Sequence, residues 1–141
     1  MLEELIELAI KSQDKNIEIA KNNDLDKLLH PSHYIRELKT VHLNIGRRTG
    51  KTQYIIDHAT ENDVVMGFNS NPIYMEGLKA AYVSSLFKHE YKIEALMGRD
   101  KKSNGWDILY IDEPAKCGYG SHDINKFIDY VHPNRVVMLG A

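Results

Sequence analysis

Apolar positions near the start of the chain recur at helical spacing, with Leu2, Leu5, Ile6, Ala9 and Ile10 along one side. Leu25, Leu28 and Leu29 resume the pattern after the polar interval Asn22-Asn23-Asp24, where a break is expected, and Pro31 closes the segment. Residues 2–30 therefore read as a broken amphipathic helix that packs on a core. A docking role toward a larger partner is the alternative reading.

From residue 39 the texture changes, and short β-rich runs alternate with helical stretches. Strands are expected over Thr40–Ile45, Asp63–Phe68, Lys92–Leu96, Asp107–Ile111 and Arg135–Leu139. Helices are expected over 50–60, over 73–88 with Tyr74, Leu78, Ala81, Tyr82, Ser85 and Leu86 along one side, and over 121–131. Asn69-Ser70-Asn71-Pro72 is turn chemistry, and Gly98 to Gly105 is a charged, turn-rich loop. Strands alternating with helices imply a three-layer α/β fold, a mostly parallel sheet with helices on both faces. The expected organisation is an N-terminal helical segment, 1–38, packing on a core, 39–141.

Composition narrows the class. The chain has 141 residues, one domain's worth, and its 43% apolar content is enough for one core. A net charge of -2, from 18 basic and 20 acidic side chains, carries no electrostatic signature of a nucleic-acid binder. The single cysteine, Cys117, excludes an intramolecular disulfide and a cysteine-rich metal site, and fits a reducing, cytoplasmic compartment. The acidic start Met1-Leu2-Glu3-Glu4 is unlike a signal or transit peptide, and no apolar run is long enough to span a bilayer. No membrane association is expected.

Two motifs carry chemistry. The first is Gly46-Arg47-Arg48-Thr49-Gly50-Lys51-Thr52, between an expected strand and an expected helix. That is the context of a phosphate-binding P-loop. Its backbone N–H groups must point at phosphate oxygens, so Gly46 and Gly50 keep side chains away, and the helix N-terminus favours an anion. Lys51 reaches the β- and γ-phosphates as a point charge, and the Thr52 hydroxyl can ligate Mg²⁺. In the usual pattern, G-x-x-x-x-G-K-[ST], the first glycine would fall at Ile45; here it stands one place later. The second motif, Ile108-Leu109-Tyr110-Ile111-Asp112-Glu113, is an apolar strand ending in two carboxylates. Ligands of such sheets bind beyond the carboxyl ends of the strands. Asp112 is expected beside the strand that feeds the loop, holding Mg²⁺, with Glu113 aimed at the γ-phosphate to orient or deprotonate water.

Together these motifs resemble the additional-strand, catalytic-glutamate class of P-loop ATPases, and most closely the ATPase domain of phage terminase large subunits and related helicase-like motors. The arginine-bearing loop is similar to that of terminases, a family that tolerates the displaced glycine. Gly105 to Ala115 is similar to the glycine, apolar strand and Asp-Glu-x-Ala of the same domains, and Val136 to Ala141 stands where the family has its next core strand. The likeness covers roughly residues 40 to 141. It implies a P-loop NTPase-like fold with a minimal or truncated core, ATP and Mg²⁺ as ligands, and coupling of hydrolysis to nucleic acid or to an assembly. A protein partner or homo-oligomer and a phage origin fit it too. The nuclease domain of terminases, the family's next helix and strand, and a polar sensor residue after Leu139 have no counterpart here. The loop strand is thus expected at an open sheet edge, covered by the N-terminal helices or by a partner.

The resemblance also suggests roles for further residues. One loop arginine contacts phosphates or couples the loop to the catalytic carboxylate, and Arg47 is favoured over Arg48 for this. Tyr34, upstream of the loop, is a candidate stacking surface for the adenine base. Arg99 and Arg135 are arginine-finger candidates by residue type alone, and a solvated surface role suits each better. His30 and His33, three apart across Pro31, are poorly placed for a metal, and Cys117 reads as a loop thiol without a role. The basic residues of the 98–105 loop could touch a nucleic-acid backbone, though a charged loop is ordinarily just solvated.

The expected activity is Mg²⁺-dependent ATP hydrolysis. A nucleotide-binding interaction module with little hydrolysis is the alternative. A small P-loop kinase is a third reading, disfavoured because no arginine-rich lid is visible. The chain lacks an N-K-x-D guanine motif, which favours ATP over GTP.

Overall fold

A computed structural model describes residues 2–24, 27, 34–35, 38–46, 50–67, 76–84, 106–115, 117 and 122–140. The elements in chain order are α1 (Leu2–Asn22), β1 (Thr40–Asn44), α2 (Lys51–His58), β2 (Val64–Gly67), β3 (Ala81–Ser84), β4 (Ile108–Asp112), α3 (His122–Val131) and β5 (Arg135–Gly140). The strands form one sheet in the order β1-β5-β4-β2-β3, and every neighbouring pair is parallel.

A parallel sheet must be covered on both faces, and the strand sequences supply side chains for both. Because side chains alternate, Val64, Met66, Leu109, Ile111, Val136 and Met138 point to one face. There they meet Ile124, Phe127, Ile128 and Val131 of α3. Val65, Tyr110, Val137 and Leu139 point to the other face, against Ile6 of α1, Ile55 of α2 and Ala59 just after it. The result is the three-layer α/β arrangement expected from the alternating pattern.

Three readings of the chain need correction. The stretch 73–88 is not one helix, since Ala81–Ser84 forms edge strand β3 paired with β2. Ala81-Tyr82-Val83 is a short continuous apolar run, which periodicity does not assign, and the pairing of Val65 with Tyr82 and Met66 with Val83 makes it a strand. Asp112 does not lie beside the loop strand, because β5 is interposed between β1 and β4. Leu5, counted among the packing positions of α1, is exposed together with Leu8 and Ile19, whereas Ile6, Gln13 and Ala20 form the buried line. The expected strand at Lys92–Leu96, the turn at 69–72 and the loop at 98–105 lie outside the described residues.

α1 is joined to the sheet by polar contacts as well as by Ile6. Gln13 is buried and accepts a hydrogen bond from Arg135 Nε at 2.9 Å, and Asp14 pairs with the same guanidinium. Arg135 therefore stands at the amino end of β5 and is engaged within the chain.

The amino ends of β2 and β4 are fastened by Asp63, which is only 2% exposed. One oxygen accepts from Thr60 N at 2.7 Å and Thr60 Oγ1 at 3.1 Å, and the other accepts from Ile108 N at 3.0 Å. Burial pushes the carboxyl pKa up, against the lowering effect of these hydrogen bonds. Asp63→Ala strands two backbone N–H groups, each costing about 1–3 kcal/mol when unpaired. A loss of about 2–4 kcal/mol is expected in urea unfolding, and a midpoint equal to that of the wild type would refute the fastening role.

A second cross-element link is pH-sensitive. His58 at the end of α2 meets Glu3 of α1 through Nε2 at 3.1 Å and the Tyr54 carbonyl through Nδ1 at 2.9 Å. Burial pulls the imidazole pKa down, but the Glu3 and Tyr54 hydrogen bonds and the charges of Glu3 and Asp57 carry it above 6.5. A raised folded value means that the stabilisation is complete below the ordinary histidine pKa and is lost as pH rises through the elevated one. Denaturant midpoints from pH 5.5 to 8.5 should show this decline, and Glu3→Gln should flatten it.

Candidate functional site

The carboxyl ends of the strands carry the two motifs. β1 ends at Asn44, and its ladder to β5 continues through Ile45 N to Gly140 O at 3.0 Å. Gly46 then turns with φ 88°, and Gly50 enters α2 with φ 83°. Both values lie in the left-handed region that glycine adopts without steric cost. Gly50 is the N-cap of α2, makes no side-chain capping bond, and is followed by a first turn without an acidic residue. Among the described residues, the helix start is thus electrostatically suited to an anion.

Lys51 opens α2 and is 6% exposed. Its Nζ donates to Gly46 O at 2.5 Å and lies 3.0 Å from Glu113 Oε1. The lysine thereby ties the glycine loop to the acidic strand end across the width of β5. An ammonium has three N–H donors, so one remains beyond these two partners among the described residues.

The neighbouring pair is Thr52 and Asp112. Thr52 Oγ1 donates to Asp112 Oδ2 at 2.9 Å, and Asp112 is 8% exposed. A hydroxyl and a carboxylate are the hard oxygen donors that Mg²⁺ takes, and Mg²⁺ ordinarily completes its shell with phosphate oxygens and water. The described residues hold no group of three His, Cys, Asp or Glu arranged for a metal. That finding does not bear on a site completed by phosphate. The donor set fits the ion.

Glu113 follows β4 with φ 56°. Asp24 and His132 share this conformation just after helices, where left-handed residues are ordinary caps. At a strand end it is uncommon, and it turns the Glu113 carboxylate toward Lys51. Glu113 N donates to Leu139 O at 2.9 Å, which holds the turn against β5. No sequence pattern signals this backbone state.

The remaining candidates are less central. Tyr34 is 8% exposed, with Lys39 Nζ 5.1 Å from its ring centroid. Cys117 is buried in the α3-side core, and its thiol donates to Asp112 O at 3.4 Å, so it packs beneath the acidic turn. Arg135 sits at the strand end remote from the loop, bound by Gln13 and Asp14. Arg47, Arg48, Thr49, Arg99, His30 and His33 lie outside the described residues. Against known proteins, the chain matches no family model, no curated protein and no solved structure.

Proposed function

We propose that this chain is a Mg²⁺-dependent P-loop ATPase of the additional-strand class, terminase-like in its loop, whose hydrolysis is coupled to an assembly or to nucleic acid. The observation that carries the reading is the position of Lys51. A buried ammonium at a helix start joins the Gly46 carbonyl to the Glu113 carboxylate, beside a hydroxyl–carboxylate pair. The strand order supports it, because β5 lies between the loop strand and the acidic strand, the arrangement expected of a class named for an additional strand.

In this reading the loop amides and Lys51 bind the β- and γ-phosphates. The phosphate oxygens replace Glu113 as acceptors of Lys51, which releases the Glu113 carboxylate. Thr52 and Asp112 would hold Mg²⁺, which supplies charge neutralisation between phosphate oxygens. Glu113, freed, accepts the proton of the attacking water as a general base. Arg47 and Arg48 remain the proposed further phosphate contacts; Tyr34, buried beside Lys39 at the amino end of β1, lies at the opposite end of the sheet from the loop and is not assigned to the base. The deciding experiment is ATP hydrolysis by the purified protein in Mg²⁺, with and without single- and double-stranded DNA. Turnover supports the ATPase, and stimulation by DNA supports a motor. ATP bound but never hydrolysed would replace this reading with that of an interaction module.

A further inference from the structure

Beside Asp112, on the same face of the sheet, stands a residue whose chemistry the two motifs do not include. β2 runs next to β4 with Met66 opposite Ile111, so Gly67 lies alongside Asp112. A Cβ built on Gly67 would fall 2.2 Å from the Tyr82 hydroxyl oxygen and 3.0 Å from the carbon that bears it. The phenol of β3 is therefore laid across the carboxyl end of β2, over the one residue there that has no side chain. Neighbouring strands are about 4.8 Å apart, which brings this hydroxyl to the strand end that carries Asp112.

The side-chain directions agree. Tyr82 packs with Ile55, Val65 and Tyr110 on the α2 side of the sheet. Ile111 points to the opposite side, so Asp112 points to the α2 side, where it meets Thr52. Tyr82, Asp112 and Thr52 thus converge on one corner. A phenol hydroxyl can donate a hydrogen bond toward a carboxylate or its bound water.

We propose that Tyr82 is a positioning residue of the metal site, its hydroxyl seated over Gly67 to orient the Asp112 carboxylate through an Asp112-bound water. The inference rests on the Mg²⁺–nucleotide reading above. It explains why β2 ends in glycine, since any larger residue would displace the phenol. Partners that orient ligating carboxylates commonly affect metal affinity by 10–100-fold when removed.

The test measures binding rather than turnover. A fluorescent ATP analogue is titrated at fixed concentration with Mg²⁺, using wild type, Tyr82→Phe and Gly67→Ala, and thermal unfolding is followed without ligand. Tyr82→Phe should keep the wild-type unfolding temperature yet raise the half-saturating Mg²⁺ concentration about tenfold. Gly67→Ala, by pushing the phenol aside, should raise it in the same direction. Wild-type Mg²⁺ dependence in Tyr82→Phe would overturn the positioning role while leaving the ATPase reading intact. Analogue binding by wild type that ignores Mg²⁺ would overturn the underlying reading, and this inference with it.

Discussion

Glu113→Gln is expected to lower ATP turnover by about 10²- to 10⁴-fold, the usual contribution of a positioned general base. The amide has nearly the same shape, and the left-handed turn at Glu113 is held by its backbone N–H to Leu139 O, which the substitution leaves in place. The loss should therefore be chemical rather than conformational. Nucleotide binding should move the other way. Glu113 pairs with Lys51 at 3.0 Å, and a neutral amide competes less well with a phosphate for the same ammonium. Tighter ATP binding by several-fold, in equilibrium titration beside a turnover assay, is the signature of both roles in one residue. Undiminished turnover would remove Glu113 from the mechanism.

Lys51→Ala is expected to weaken ATP binding at least about tenfold. Hydrogen bonds to charged groups are worth about 1.5–3 kcal/mol each, and losing one or two of them from the phosphates corresponds to one to several powers of ten. The effect on folding should be smaller. Glu113 is 25% exposed and can be rehydrated once its partner is gone, so about 1 kcal/mol is expected from chemical denaturation. Lys51→Arg should not restore binding. The lysine is 6% exposed, and a planar guanidinium neither fits that space nor reproduces a point charge. ATP bound equally well by Lys51→Ala and wild type would contradict the assignment of the loop.

Much of the fold is legible because its strands are short apolar runs bounded by polar residues. Val64–Gly67, Ile108–Asp112 and Arg135–Gly140 fall within or one residue beyond the expected segments, and α1 ends at the expected break after Asn22. The failures share a cause. The short apolar run Ala81-Tyr82-Val83 suits either a buried helix turn or a strand, and only pairing with β2 selects the strand. Leu5 satisfies helical spacing but lies off the buried line of Ile6, Gln13 and Ala20, which depends on where β5 and α2 sit. Asp63 was missed as a fastening residue because the Ile108 N–H it accepts belongs to a strand 45 residues away.

The candidate site divides along the same line. The sequence alone determined the types and order of the chemical groups: two glycines, a lysine and a hydroxyl at a strand-to-helix junction, then two carboxylates at a strand end. These are local properties, set by residue identity and by periods of two and three to four residues. Long-range packing sets the rest: β5 separates the two motif-bearing strands, Lys51 nonetheless reaches Glu113, Thr52 meets Asp112, and Gly67 admits the Tyr82 phenol. Each of these depends on strand order and register, which are chosen by long-range packing on two faces of the sheet and leave no mark at short range along the chain.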